Sequence, residues 1–272
     1  RFILPMKKVD VIDLPQLQRE VVVLKELGPV KAKKFNAEIT RIESIRESAG
    51  SLRADAALME LVRETMRLKA ADVCAYVKTV LECSPVKFIV FVHHKELRDK
   101  IIESLGSVDH IVVDGSTPMA KRGALFDRFR VTPMCRVAVL SIQACSTGLN
   151  LQFVSLILFA ELLFSSVVHS QAEARCHRVG QTSSVLCQYL TIKGSTDDMV
   201  WRTIKRKANT QATLMMNALD TADTMSTAFS ARTVDNKRKR LETEDEDEND
   251  DEDEDDEHLM YDSTQILQRA HA

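Results

Sequence analysis

The sequence predicts an α/β fold, with a mostly parallel sheet flanked by helices, a helical segment before it and a disordered acidic tail after it. Two observations carry the sheet. Runs such as Lys87–Val92 and Val154–Ala160 are apolar at nearly every position, the pattern of strands buried on both faces rather than one. Helix-like stretches separate these runs, as the crossovers between parallel strands require. A third observation carries the helical segment: before residue 85, apolar residues recur three and four apart.

Residues 1–28 read as a basic connector, then Leu14-Pro15, then a short β-like run. Residues 29–84 are rich in Ala, Leu, Glu, Arg and Lys, with one apolar stripe at Ala57, Leu58, Leu61 and Val62. A second stripe runs through Val73, Tyr76, Val77, Val80 and Leu81. Gly50-Ser51 interrupts the pattern and predicts at least two helices. Residues 85–220 hold the alternating elements. Strands are expected at 87–92, 110–115, 136–142, 154–160 and 185–192. Helices are expected at 95–105, ending at Gly106, at 118–129, with Thr117 as N-cap and Pro in the first turn, and at 197–219. Residues 221–236 are small and polar. Lys237-Arg-Lys-Arg240 fits a nuclear localisation signal or a chance basic cluster. Glu242–Glu257 is almost unbroken acid and cannot fold on itself.

Composition narrows the class. The 272 residues suffice for one large core with appendages, and 44 % apolar content is that of an ordinary soluble domain. The net charge of −3 hides a split between +11 over residues 1–240 and −14 over residues 241–272. A basic body points to a polyanionic partner, and an acidic tail can compete for the same surface. Six scattered cysteines without a Cys-x-x-Cys pair fit reduced thiols in an intracellular protein and give no metal site. The longest apolar run, near Phe153–Phe164, is too short to span a bilayer and contains Glu161. Opening on Arg-Phe-Ile, with no Met or leader, the sequence reads as a fragment.

The stretch that organises this body is residues 166–181, in which Arg175 and Arg178 lie three apart. At helical spacing, such residues share a face. The guanidinium stays charged and offers a planar fork that matches phosphate oxygens. A strand followed by this helix places the helix start at the sheet's carboxyl edge, where open α/β sheets bind ligands.

The run Gln171-Ala-Glu-Ala-Arg175-Cys-His177-Arg178-Val-Gly180-Gln181 resembles motif six of the Swi/Snf-type helicase-like ATPases of superfamily two. That resemblance implies a RecA-like lobe whose Arg175 and Arg178 act as arginine fingers on an ATP held by a separate N-terminal lobe. Gln171 and Gly148 would lie beside the nucleotide. His110–Arg122 resembles the family's Asp-Gly-Ser-Thr motif, implying that Ser116, Thr117, Lys121 and Arg122 line the DNA backbone. Hydroxyls at a strand end, before a helix N-terminus, let backbone amides meet phosphate. Val139–Leu151 resembles motif five, adding Ser141 and Thr147 to that track, with Gly148 as the close-approach position. Residues 1–24 resemble in part the linker between lobes, with Gln16-Leu17 where the family has Pro-Lys. Phe88-Ile-Val-Phe-Val-His93-His94-Lys95, Leu140-Ser-Ile, Phe159-Ala-Glu-Leu162 and Gly180–Ser184 point to the HepA-related annealing-helicase branch, although Phe164-Ser165-Ser166 replaces its Trp-Asn-Pro.

The sequence contains no Gly-x-x-x-x-Gly-Lys-Ser/Thr loop, and its Asp-Glu pairs lie only in the tail. ATP with Mg²⁺ would therefore be held mainly by the other lobe, and this chain alone would be inactive. The resemblance implies a nuclear DNA-dependent ATPase that rewinds or remodels fork or single-strand/double-strand junction DNA. Histones or single-strand-binding proteins are further partners to expect. The alternatives are a chromatin-remodeller lobe and a non-catalytic nucleic-acid-binding relic.

Overall fold

A computed structural model describes residues 14–49, 51–143 and 151–207. Six strands form one sheet in the order β1-β6-β5-β2-β4-β3, and every neighbouring pair is parallel. The strands are β1 (Leu17–Glu26), β2 (Phe88–Val92), β3 (His110–Val113), β4 (Val137–Ser141), β5 (Leu156–Phe159) and β6 (Val185–Lys193). The helices are α1 (Pro29–Ala49), α2 (Ser51–Cys83), α3 (Lys95–Leu105), α4 (Met119–Val131) and α5 (Ser166–Cys176). A sixth, α6, covers residues 196–207 as far as it is described.

The unbroken apolar runs are explained by two cores. Successive side chains of a strand point to opposite faces. In β2, Ile89 and Phe91 join α4, α5 and α6 through Phe126, Phe129, Ala172, Cys176, Val200 and Ile204. Phe88, Val90 and Val92 face the other way, onto α2 and α3, through Val73, Val77, Val80, Leu97 and Ile101. Both faces are covered, so all five residues of β2 are buried.

The β-like run inside the segment read as a linker is strand β1, which pairs with β6 from Leu17 opposite Val185 to Glu26 opposite Lys193. Lys25 clips this edge strand to α2, its ammonium donating to the Leu68 carbonyl at 2.8 Å and ion-pairing with Asp72. The break expected at Gly50-Ser51 separates α1 from α2. Thr117 is not the N-cap of α4. Pro118 occupies that position, and the Thr117 hydroxyl bonds Asp114 instead. Of the cysteines described, Cys135, Cys176 and Cys187 are buried, Cys74 is partly covered and Cys83 is exposed. The part of the long C-terminal helix beyond residue 207, the basic cluster and the acidic tail lie outside the described residues.

One buried ion pair joins α2 to the start of α6. The Lys69 ammonium donates to both Asp197 oxygens, at 3.2 and 3.1 Å, and to the Leu190 carbonyl at 3.1 Å. All three of its N–H groups are satisfied where water has no access. Asp197 also accepts the Ile192 amide at 3.0 Å. Removing the cation strands a buried carboxylate, so Lys69→Met is expected to destabilise the lobe by about 3–5 kcal/mol. Urea denaturation measures this, and an unchanged midpoint would show that the pair contributes nothing.

Candidate functional site

Helix α5 begins beyond the carboxyl end of β5, as the strand–helix order requires. Its arginines, however, sit at the other end. An 11-residue helix advances about 16 Å, which carries Arg175 and Arg178 toward the amino edge of the sheet. The bonds there fix the place. The Arg175 carbonyl accepts the Leu151 amide at 3.1 Å, and the Val185 amide, at the start of β6, donates to Gln16 at 2.9 Å. The His177 ring Nε2 donates to the Pro15 carbonyl, just before β1, at 2.7 Å.

Only Arg175 of the pair is helical. His177 is the C-cap, and Arg178 follows in a turn whose carbonyl accepts the Gln181 amide at 2.9 Å. The pair therefore does not share a helical face. Gln171 and Arg175 do, four residues apart on α5. Arg175 is half-buried, whereas Gln171 and Arg178 are exposed, and Arg178 makes no ion pair among the described residues. The turn is held from beneath by Gln181. Its buried amide donates to the Val154 carbonyl at 2.9 Å and accepts from the Thr182 and Ser183 amides at 2.9 and 3.1 Å. Gly180 has φ +94°, where a side chain is strained, and a Cβ would lie 2.8 Å from the Gln152 side chain.

Beneath the arginines lies Glu173, 2 % exposed. Arg19 grips it with Nε 2.8 Å from Oε1 and Nη2 2.7 Å from Oε2, and the Tyr189 hydroxyl donates to Oε1 at 2.6 Å. The hydrogen bonds that Arg19 donates to Glu173 raise its pKa above the ordinary value, while burial raises those of Tyr189 and Cys187. Arg19 thus stays cationic and Tyr189 and Cys187 stay neutral.

The second constellation lies at the carboxyl end of β3, at the far side of the sheet. Asp114 Oδ1 accepts the Ser116 amide at 2.9 Å, the Ser116 hydroxyl at 2.6 Å and the Thr117 amide at 3.1 Å. Its other oxygen pairs with Arg98. The Ser116 and Thr117 amides, expected to meet phosphate directly, are therefore already engaged. Arg122 also differs from the expectation that it lines the DNA backbone. It is buried and turned into its own loop, donating to the Thr117 carbonyl at 3.0 Å and the Asp114 carbonyl at 3.1 Å. Ser116 and Lys121 are exposed and Thr117 is half-buried.

Between the two, at the carboxyl ends of β2 and β5, buried Glu161 accepts the His94 amide with both oxygens at 3.1 Å. The His94 ring Nδ1 lies 2.7 Å from its Oε2. Burial lowers the pKa of the adjacent His93. Ser141 ends β4 on this same edge, half-buried. Thr147 and Gly148 lie outside the described residues.

Residues 69–180 match the family described as helicase conserved C-terminal domain. Over 196 residues, the chain is 38 % identical to the SWI/SNF-related matrix-associated actin-dependent regulator of chromatin subfamily A-like protein 1 of Xenopus tropicalis. That stretch is 71 % of this chain and 21 % of the relative. The DNA annealing helicase and endonuclease ZRANB3 of Mus musculus is 35 % identical over 190 residues, 67 % of this chain and 18 % of its own length. The chain belongs to the Swi/Snf-type helicase-like ATPases. The chain thus spans about a fifth of the length of these relatives, and its fold is that of their C-terminal lobe. The crystal structure of the C-terminal part of the Fun30 ATPase domain superposes with a TM-score of 0.56 at 16 % identity, covering 70 % of this chain and 90 % of that one. The Sulfolobus solfataricus SWI2/SNF2 ATPase core domain gives 0.53 at 19 %, covering 74 % and 45 %. Both show the same RecA-like fold.

Within this Swi/Snf lobe, sequence reasoning passed over Glu173, Arg19, Tyr189 and the role of Asp114 as acceptor. Asp114 and Glu173 stood inside these motifs, but Arg98, Arg19 and Tyr189 come from other elements and cannot be read locally, whereas Ser116 and Thr117 lie in the same turn as Asp114. The hydrogen bonds from Ser116 hold the Asp114 pKa below the usual carboxylate range, helped by Thr117 and Arg98. A lowered folded-state pKa contributes stability that is complete above the unfolded value, about 3.9, and is lost as pH falls through the folded one. Wild-type protein is expected to lose more unfolding free energy than Asp114→Ala between pH 5 and pH 2, a difference that denaturant titrations at the two pH values would measure.

Proposed function

We propose that this chain is the C-terminal half of a nuclear DNA-dependent ATPase that rewinds or remodels DNA at forks and single-strand/double-strand junctions. One observation carries the reading. The lobe presents a cationic corner at the amino edge of β1, β6 and β5 and a hydroxyl-bearing turn at the carboxyl edge of β3, so two polyanions can be engaged at once. Arg178, exposed, and Arg175, half-buried, suit the terminal phosphoryl group of an ATP gripped by the N-terminal lobe. The chemistry asked of them is electrostatic. They supply positive charge where negative charge spreads over phosphoryl oxygens, with Gln171 on the same side of α5. Gly148, on the motif-five loop, is assigned to the nucleotide by the family resemblance. Mg²⁺ belongs to the other lobe, since the carboxylates described here are held by Arg, Lys, His and Tyr side chains or lie away from this corner.

Ser116, Thr117 and Lys121, with Ser141 and Thr147, form the DNA track, and Arg122 keeps the turn in shape from within. Residues 1–28 join the lobes, residues 29–84 support the sheet, residues 85–220 are the lobe itself, and the stretch from 221 carries the nuclear signal and acidic run. Alone, the chain does not turn over ATP, because the phosphate-binding loop and Asp-Glu box reside elsewhere. A nucleosomal substrate is a second reading, favoured by relatives whose printed name is that of a regulator of chromatin.

Arg178→Ala in the full-length protein should bind DNA as wild type does, yet lose DNA-stimulated ATPase by about 10³–10⁵-fold. Fluorescence anisotropy and a coupled ATPase assay give the two numbers, and unchanged turnover removes Arg178 from the reaction. Comparing fork DNA with nucleosomes as activators separates the two substrate readings.

A further inference from the structure

Among the contacts of the arginine corner are two with the stretch that leads into the lobe. They bracket Arg175. On its N-terminal side, Glu173 is held by Arg19 through two hydrogen bonds of 2.8 and 2.7 Å. On its C-terminal side, His177, which separates Arg175 from Arg178, donates to the Pro15 carbonyl at 2.7 Å. Pro15 and Arg19 are four residues apart at the start of the edge strand, and Gln16 between them accepts the first amide of β6 at 2.9 Å.

The first contact is built to transmit position. Glu173 is 2 % exposed and sits on the helical turn that ends in Arg175. Arg19 faces it because Arg19 pairs with Cys187 in the parallel register, and Tyr189, two residues on and on the same face, completes the carboxylate shell. A planar fork meeting a planar carboxylate fixes both distance and rotation, which a point charge cannot do. The Arg19 side chain is half open to solvent, at 51 % exposure, whereas that of Glu173 is closed at 3 %. The burial thus lies on the α5 side and the solvent-facing end on the β1 side. A shift of residues 15–19 along the sheet edge would pull on both ends of the last turn of α5.

We infer that Arg19, through Glu173, and the Pro15 carbonyl, through His177, make the lead-in segment a positioning device for Arg175 and Arg178, so that the setting of the segment entering the lobe governs the setting of the arginines. Arg19 and Glu173 touch no nucleotide; they act through the arginines. The inference rests on the reading that Arg175 and Arg178 act on ATP. Misplacement of a reacting group by about 1 Å can reduce turnover about 10²-fold.

The test uses the full-length protein with Arg19→Gln, Glu173→Gln, the double variant, Arg19→Lys and, as reference, Arg178→Ala. Turnover and KM for ATP are measured under saturating fork DNA, with DNA affinity and the thermal midpoint for each variant. Arg19→Gln and Glu173→Gln are each expected to lower kcat about 10²-fold, with KM for ATP and DNA affinity within about twofold of wild type. The double variant should be no slower than either single one, because both break the same contact. Arg19→Lys, which keeps the charge but not the fork, should fold as wild type and recover only part of the turnover. Wild-type kcat in Arg19→Gln or Arg19→Lys would overturn the inference, as would loss of DNA binding or of folded protein in proportion to the loss of turnover. If Arg178→Ala itself retains full ATPase, the underlying reading has failed; if it is inactive while Arg19→Gln is not, only the positioning role has failed.

Discussion

One helix length constrains everything this lobe presents. Helix α5 leaves the carboxyl end of β5 and after 11 residues delivers Arg175 to the opposite edge. A strand-to-strand crossover must return the chain to where the next parallel strand begins, so whatever closes the crossover lies at the amino edge. The arginines follow that rule, as their neighbours Pro15, Leu151 and Val185 show. The turns that follow β3, β2 and β5 emerge on the opposite, carboxyl edge. A lobe made this way separates its two charged corners by the length of its strands. That separation suits a protein that holds one ligand against a second lobe and another along its own rim.

Where the corners carry charge, the charge is organised by carboxylate acceptors, buried at Glu173 and Glu161 and half-buried at Asp114. Glu173 gathers Arg19 and Tyr189, Asp114 gathers Ser116, Thr117 and Arg98, and Glu161 gathers the backbone and ring of His94. Each carboxylate sits near an element end; Glu173 and Glu161 draw their partners from elsewhere in the chain, and Asp114 adds Arg98 of α3 to partners in its own turn. Such a hub orders neighbouring side chains without taking part in any recognition itself. It also consumes donors, which is why the amides of Ser116 and Thr117 are turned inward, while backbone carbonyls of the same turn draw in the Arg122 guanidinium. Exposed groups are left at the rims: Ser116, Lys121, Gln171 and Arg178.

The sheet was readable because its signal is local. Five mostly apolar runs marked β2 to β6 to within about two residues, the precision that element ends allow. A helix pattern interrupted at Gly50 separated α1 from α2. Strand β1 was harder. Its residues, Leu17 to Glu26, alternate with charge at Arg19, Glu20, Lys25 and Glu26, and an edge strand needs no apolar run because one side faces solvent. The candidate site divided in the same way. Residue types and motif order pointed to Arg175, Arg178 and the Asp114–Thr117 turn, whereas the path of α5 across the sheet, and so the edge on which the arginines lie, required the topology. The Arg19–Glu173 pair, 154 residues apart in sequence, leaves no local trace at all.

The segment Phe164-Ser165-Ser166, where the resemblance implies Trp-Asn-Pro, is anchored by contacts of its own. Phe164 bridges two cores, the one on the arginine face of the sheet and the one between α1 and α2. The segment is also held by His169, in the first turns of α5. Its Nδ1 donates to the Ser165 carbonyl at 2.9 Å, and its Nε2 accepts the Leu163 amide at 3.5 Å. A carbonyl only accepts and an amide only donates, so these two partners demand a single neutral tautomer. Burial lowers the His169 pKa and favours that neutral form. The imidazole also packs on Phe159, at 5.1 Å, and Phe159 stacks on Tyr189 at 4.7 Å. Tyr189 donates to Glu173, so the start of α5 and the contact beneath its last turn rest on one line of touching rings.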